Sequence, residues 1–187
     1  MQKYLTFYSS KYRYFICIAI NYNLRDGENI VLIEKIFRRI SYELGWFINR
    51  FYSKNVPNDI DLVVSSIGGT ATTCLIEFLS QYLKTNDKYD SDNLKHSRRY
   101  KLTKAQKIIF IISDPEISYK SLKRRKYLYR NCRKLGLISY LIRIKSLFIK
   151  EVNALQTTME MLCEKYPHKY LSIKYSDLFT SAEIIKD

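Results

Sequence analysis

The chain has 187 residues, 47% of them hydrophobic and 27% charged, with only 5 Gly and 3 Pro. That is enough apolar material for one domain with a filled core, and it excludes wholesale disorder, collagen and low-complexity classes. Lys and Arg number 32 against 18 Asp and Glu, a net charge of +14 that favours an anionic partner: a nucleotide, a polyanion, nucleic acid or an acidic surface.

Residues 1–8 carry no apolar run of the kind a signal peptide needs. The run at 14–20 is far shorter than the roughly 20 residues of a membrane span, and it reads as a buried strand. From Glu28 to Phe51 the residues Ile33, Phe37, Ile40, Leu44, Phe47 and Phe51 recur at spacings of three and four, which predicts an amphipathic helix with Lys35, Arg38, Arg39 and Arg50 on its other side. Asn55, Pro57, Asn58 and Asp59 supply a turn. A β-branched strand over 60–66 then runs directly into Ile67, Gly68, Gly69, Thr70, Ala71, Thr72 and Thr73. A second helix follows, with Leu75, Phe78, Leu79, Tyr82 and Leu83 on one stripe.

Residues 85–99 are polar and turn-rich and contain Asn93-Leu94-Lys95-His96. A second buried strand over 107–113 leads to Asp114 as N-cap and Pro115 in the first turn of a strongly basic helix, which Gly136 ends. That helix holds Lys120, Lys123, Arg124, Arg125, Lys126, Arg130, Arg133 and Lys134. Residues 137–149 suit strand and helix equally. Val152, Leu155, Met159, Leu162 and Tyr166 mark a further helix stopped by Pro167, and a strand at 170–175 closes the pattern. The aromatic stripes at helical spacing are expected in the core. Strands alternating with helices predict one α/β domain over 1–187: a three-layer, P-loop-type fold whose mainly parallel sheet is flanked by helices.

Cys17, Cys74, Cys132 and Cys163 are scattered, with no CxxC pair and no nearby His, so they are expected to be reduced, mostly core residues of a cytoplasmic protein without a metal. The glycine-rich loop has a direct physical reading. Two residues without Cβ atoms let backbone N–H groups converge on an anion, and the following helix N-terminus adds positive potential. Thr72 and Thr73 can donate hydroxyl hydrogen bonds to a phosphate. A structural strand-to-helix turn capped by threonines fits the same residues. The loop is not a Walker A sequence, because no Lys precedes its Ser/Thr.

Over residues 60–180 four features stand in order. The loop Ser66-Ile67-Gly68-Gly69-Thr70-Ala71-Thr72-Thr73 resembles the loop that holds the 5′-phosphosulfate in sulfotransferases using 3′-phosphoadenylyl sulfate (PAPS). Ile109-Phe110-Ile111-Ile112-Ser113-Asp114-Pro115, with Ser121 eight residues after Ser113, is similar to the second motif of that family. Lys95 and His96 lie between the two motifs, and Ile173-Lys174-Tyr175-Ser176-Asp177-Leu178 is similar to its closing motif. The resemblance implies a P-loop-type fold and PAPS as sulfuryl donor, with no metal required. It places the phosphosulfate on Gly68, Gly69, Thr70, Ala71, Thr72 and Thr73, and the 3′-phosphate near Ser121, Arg124 and Arg125. Lys95 would neutralise charge on the leaving group. His96 would be the base for an acceptor hydroxyl on a saccharide, a lipid or a small metabolite, with an anionic one favoured by the basic surface.

The chain departs from the family at Gly69 or Thr70, where a Lys or Arg is usual, and at Ser113, where an Arg is usual. Lys95, Arg124 and Arg125 are the cations placed to compensate. The departures keep open a second reading, a non-catalytic member of the same fold that binds a nucleotide or polyanion. A nucleic-acid binder is a third, without a helix-turn-helix, zinc-finger, RNP or KH pattern to support it. His168, between charged residues, is expected to be solvated.

Overall fold

The computed structural model describes residues 27–179, with side chains from Lys35 onward. The chain divides into two compact units, Met1–Ser41 and Tyr42–Asp187. The first contributes the opening of helix α1 (Gly27–Phe51), on which Ile36, Phe37 and Ile40 are exposed. The strand expected over 14–20, and Cys17 within it, lie outside the described residues.

After the end of α1, the second unit runs β1 (Lys54–Asn55), β2 (Leu62–Ser66), α2 (Thr72–Leu79), β3 (Tyr100–Lys101), β4 (Lys107–Ile112), α3 (Pro115–Arg124), α4 (Leu128–Lys134), α5 (Ser139–Ile142), α6 (Lys145–Lys165) and β5 (Tyr170–Lys174). It is a mixed helix and strand unit with small parallel sheets. The main sheet has the order β2-β4-β5, parallel throughout, with Val64 opposite Ile109 and Ile109 opposite Leu171. Strands buried on both faces read as unbroken apolar runs rather than as alternation, which is why β2 and β4 are visible in the sequence.

Side chains at successive strand positions point to opposite faces. Val63, Ile108 and Phe110 therefore join the larger core, with Leu122, Phe148, Val152 and Met159, while Val64 and Ile111 join a smaller one with Ile76. Each such buried side chain contributes about 1.5–3 kcal/mol. The outer edge of β2 is not left open. Asn86 accepts from the Val64 amide at 2.7 Å and donates to the Val64 carbonyl oxygen at 3.2 Å, so its side-chain amide takes the place of a neighbouring peptide.

Helix ends follow local chemistry. Asp114 caps α3 by accepting from the amides of Glu116 at 2.6 Å and Ile117 at 3.2 Å, with Pro115 in the first turn. Gly136 ends α4 at φ +63°, with Leu137 N donating to Cys132 O and Gly136 N to Arg133 O, the paired bonds of a Schellman motif. There is no room for a side chain here: a Cβ on Gly136 would stand 2.5 Å from the Arg50 backbone. The end of α1 is fastened at the same place, Arg50 donating to Gly136 O and Trp46 to Leu137 O, each at 2.8 Å.

Two expectations are corrected. The basic helix is two helices, because Lys126 adopts φ +61° and a second Schellman pair (Tyr127 N to Leu122 O, Lys126 N to Lys123 O) closes α3. A non-glycine residue in this conformation leaves no mark in the sequence. The aromatic stripes are not core: Phe37 is 42% exposed, Phe51 52% and Tyr82 71%. The ambiguous stretch at 137–149 is helical, with α5 followed by the first turns of α6. Among the described residues no helix is long and apolar enough to cross a membrane.

Candidate functional site

Beyond the carboxyl end of β2 the chain turns through three residues in the left-handed half of backbone space: Gly68 at φ +111°, Gly69 at +83° and Ala71 at +50°. Turns of this conformation can gather anions through their backbone amides, and here the Gly68 amide is itself taken by Ser66 Oγ at 3.1 Å. The glycines are required by space as well as by conformation. A Cβ on Gly68 would come within 2.3 Å of Asn131 Nδ2, and one on Gly69 within 3.2 Å of Ser121 Oγ and 3.3 Å of Arg125 Nη2.

The loop threonines divide into two kinds. Thr72 Oγ1 lies 2.6 Å from Ser66 Oγ and 3.2 Å from Thr70 Oγ1, all three buried, so its hydroxyl belongs to a network that braces the turn from inside. Thr73 instead accepts a hydrogen bond from Lys95 Nζ at 2.5 Å. The Lys95 ammonium also donates to Lys88 O at 2.8 Å, and only 7% of the residue is exposed. Burial lowers its pKa and Asp90 and Asp87 oppose that shift.

His96 is part-buried, and its Nδ1 lies 2.9 Å from Ser66 O. A carbonyl oxygen only accepts, so Nδ1 carries the proton and Nε2 presents a lone pair. Burial pushes the imidazole down to about 4, with Asp90 and the Ser66 bond acting the other way, so the ring is neutral near pH 7. The Lys95 carbonyl oxygen accepts from the Ser66 amide at 3.0 Å. Thus Ser66 holds Lys95 and His96 beside the loop it precedes.

These groups open onto one cleft of about 390 Å³. Of the residues singled out in the sequence, Gly69, Thr70, Ala71, Thr72, Thr73, Lys95, His96 and Arg125 line it. Gly68 lies behind the loop against Asn131 and Leu122. Ser121 stands across from Gly69, and Arg125 Nε donates to Ser121 O at 3.4 Å on the same helix face. Arg124 is exposed and does not line the cleft, whereas Arg125 does: consecutive helical residues point about 100° apart. Ser113 is occupied elsewhere, its hydroxyl with Ser118 at 2.7 Å and its carbonyl with Gln156 at 2.7 Å. His168 is exposed, as expected.

The lining residues that the sequence did not place at the site include Lys88, Tyr89, Asp90, Tyr127, Arg130 and Asn131. The first three follow from the fold of a segment without regular structure, and no local pattern points to them. Arg130 and Tyr127 stand just past the helix break. Arg130 lies over the Tyr127 ring at 5.9 Å. Lys95, Arg125 and Arg130 have no carboxylate ion-paired to them among the described residues, whereas Asp90 is ion-paired to Lys134. The cleft therefore carries surplus positive charge. Among the described residues no group of His, Cys, Asp and Glu is placed to hold a metal ion. No family model, curated protein or solved structure matches the chain.

Proposed function

We propose that the cleft takes the phosphosulfate end of PAPS and that the protein transfers its sulfuryl group to an acceptor hydroxyl, on a three-layer, P-loop-type fold. One observation carries this reading: Lys95 Nζ and the lone-pair side of His96 are held beside the same glycine-rich turn, the first through Thr73 and the second through Ser66. The free hydrogen of the Thr73 hydroxyl is available to an anion beside the Lys95 ammonium, so the residues present fit the group. Lys95 restores, from a neighbouring segment, the cation missing at Gly69.

The amides of the turn and Thr73 bind the 5′ end, with Ser121 and Arg125 toward the 3′-phosphate. PAPS, when bound, supplies an activated sulfuryl group that leaves the bridging phosphate oxygen for the acceptor oxygen. Lys95 stabilises the charge left on that bridging oxygen. His96 Nε2 takes the proton of the acceptor hydroxyl, and a bound anion beside the ring raises its basicity toward the working range. The free thiols of Cys74, Cys132 and Cys163 suit a reducing, cytoplasmic setting.

Ser113, with both its polar groups engaged internally, favours a second reading in which the cleft binds a nucleotide or polyanion without turnover. Calorimetric titration with adenosine 3′,5′-bisphosphate, with ATP as control, tests the shared site. Micromolar binding of the bisphosphate alone, lost in Lys95→Met, supports it, and no binding overturns it. Sulfuryl transfer that disappears in His96→Ala while bisphosphate binding persists separates the enzyme from the binder.

A further inference from the structure

The segment that delivers Lys95 and His96 has neither helix nor strand between α2 and β3. Carboxylates take up its backbone amides instead. Asp87 accepts from Tyr89 and Ser91, Asp92 from Asp87 and Leu94, and Asp90 from Lys95 at 3.0 Å. Among the described residues, Asp87 and Asp92 hydrogen-bond within this segment. Asp90 also forms a buried ion pair with Lys134 of α4, whose ammonium in addition reaches Asp90 O at 3.4 Å. Only 6% of Asp90 and 7% of Lys134 is exposed, and Asp90 is held at φ +62°, a conformation few non-glycine residues adopt.

We infer that Asp90, anchored on Lys134, is the positioning residue that holds Lys95 and His96 against the glycine-rich turn. A continuous set of bonds leads from α4 to the cleft. Lys134 binds the Asp90 carboxylate, and that carboxylate takes the Lys95 amide. The Lys95 carbonyl takes the Ser66 amide, and the Ser66 carbonyl takes His96 Nδ1–H. Around the carboxylate stand Lys134 from α4, Lys54 from β1, Tyr100 from β3, and Lys95, His96 and Asp92 from its own segment. A carboxylate lining an anion site opposes the anion by simple Coulomb attraction and repulsion. Its charge alone therefore predicts the reverse of what a positioning role predicts, and this makes the inference, which rests on the anion-site reading of the cleft, decidable.

The experiment is Asp90→Asn in the full chain, read in two ways. The chain has two histidines, so the His96 imidazole is readily assigned and followed in an NMR titration. In the parent, burial holds the His96 midpoint down to about 4. If Asp90 positions the segment, its loss releases the ring and the His96 midpoint moves up toward the ordinary imidazole value of about 6.5, while the Kd for inorganic pyrophosphate weakens at least tenfold. A His96 midpoint that stays or falls further, or pyrophosphate binding as tight as the parent's, overturns the inference. Should the single variant fail to fold by circular dichroism, Asp90→Asn with Lys134→Met leaves no unpaired charge of the ion pair and is judged by the same two criteria. A parent protein that binds neither pyrophosphate nor adenosine 3′,5′-bisphosphate refutes the anion-site reading, and the His96 midpoint alone then decides the role of Asp90.

Discussion

His96 donates its Nδ1–H to the carbonyl oxygen of Ser66 at 2.9 Å, and that bond selects the neutral tautomer whose Nε2 is a proton acceptor. The residue that ends the central apolar run of β2 thus sets the protonation pattern of a side chain 30 positions later. The same residue braces the turn through its hydroxyl, which lies 2.6 Å from Thr72 Oγ1 and accepts from the Gly68 amide at 3.1 Å.

The buried imidazole makes stability pH-dependent with a definite sign. His96 titrates at about 4 when folded, against about 6.5 when unfolded. Between those values the unfolded chain takes up a proton that the folded chain refuses, so the stability this group allows is complete above pH 6.5 and falls as pH drops toward 4. The loss totals about 3 kcal/mol from the size of the shift. Urea unfolding at pH 7.5 and 4.5 should show a shallower decline in His96→Gln than in the parent, and parallel declines would refute the assignment.

The two glycines of the turn should not be equivalent. Gly68→Ala drives a Cβ to 2.3 Å from Asn131, which donates to Ile67 O, at φ +111°. Gly69→Ala meets Ser121 at 3.2 Å and φ +83°. Strain and displacement are expected to cost about 2–3 kcal/mol for Gly68→Ala and about 1–2 kcal/mol for Gly69→Ala. Thermal unfolding orders them, and a reversed order contradicts the contact geometry.

Thr72 and Thr73 should respond in different experiments. Thr72→Ala removes a buried member of the Ser66–Thr70–Thr72 network and is expected to cost about 1–2 kcal/mol of stability. Thr73→Ala leaves the fold intact but removes one of the two hydrogen bonds that hold Lys95, weakening bisphosphate affinity about tenfold, or 1.4 kcal/mol. Melting temperature and calorimetric Kd measured on both variants test the split, which fails if Thr73→Ala binds as the parent does.

Gly136 leaves no alternative at its position. Its positive φ and a Cβ placed 2.5 Å from the backbone of Arg50 mean that Gly136→Ala must separate α1 from the end of α4 or distort one of them. A loss of about 3 kcal/mol or more is expected. A loss below about 1 kcal/mol in chemical denaturation would show that the contact yields easily.

Elements carried by local pattern were legible in the sequence: the apolar runs of β2, β4 and β5, the Asp114–Pro115 start of α3, and Gly136 as the end of α4. The structure brings Lys95, His96 and Arg125 to the glycine-rich turn. What stayed hidden depends on tertiary geometry. Lys126 breaks a helix with a residue that forms helices well. Arg124 and Arg125 differ only in the direction each takes from α3. Asp90 looks like one of several loop acids until Lys134 arrives beside it from 44 residues away. The exposed aromatics of α1 and α2 show that helical spacing identifies an apolar face without saying what covers it.

The side chain of Asn86 occupies both hydrogen-bonding groups that Val64 turns outward. An unpaired strand edge is a template on which other chains align and aggregate. By satisfying that pair with an amide that cannot be prolonged into a further strand, the protein limits the growth of its sheet at the strand that presents the cleft.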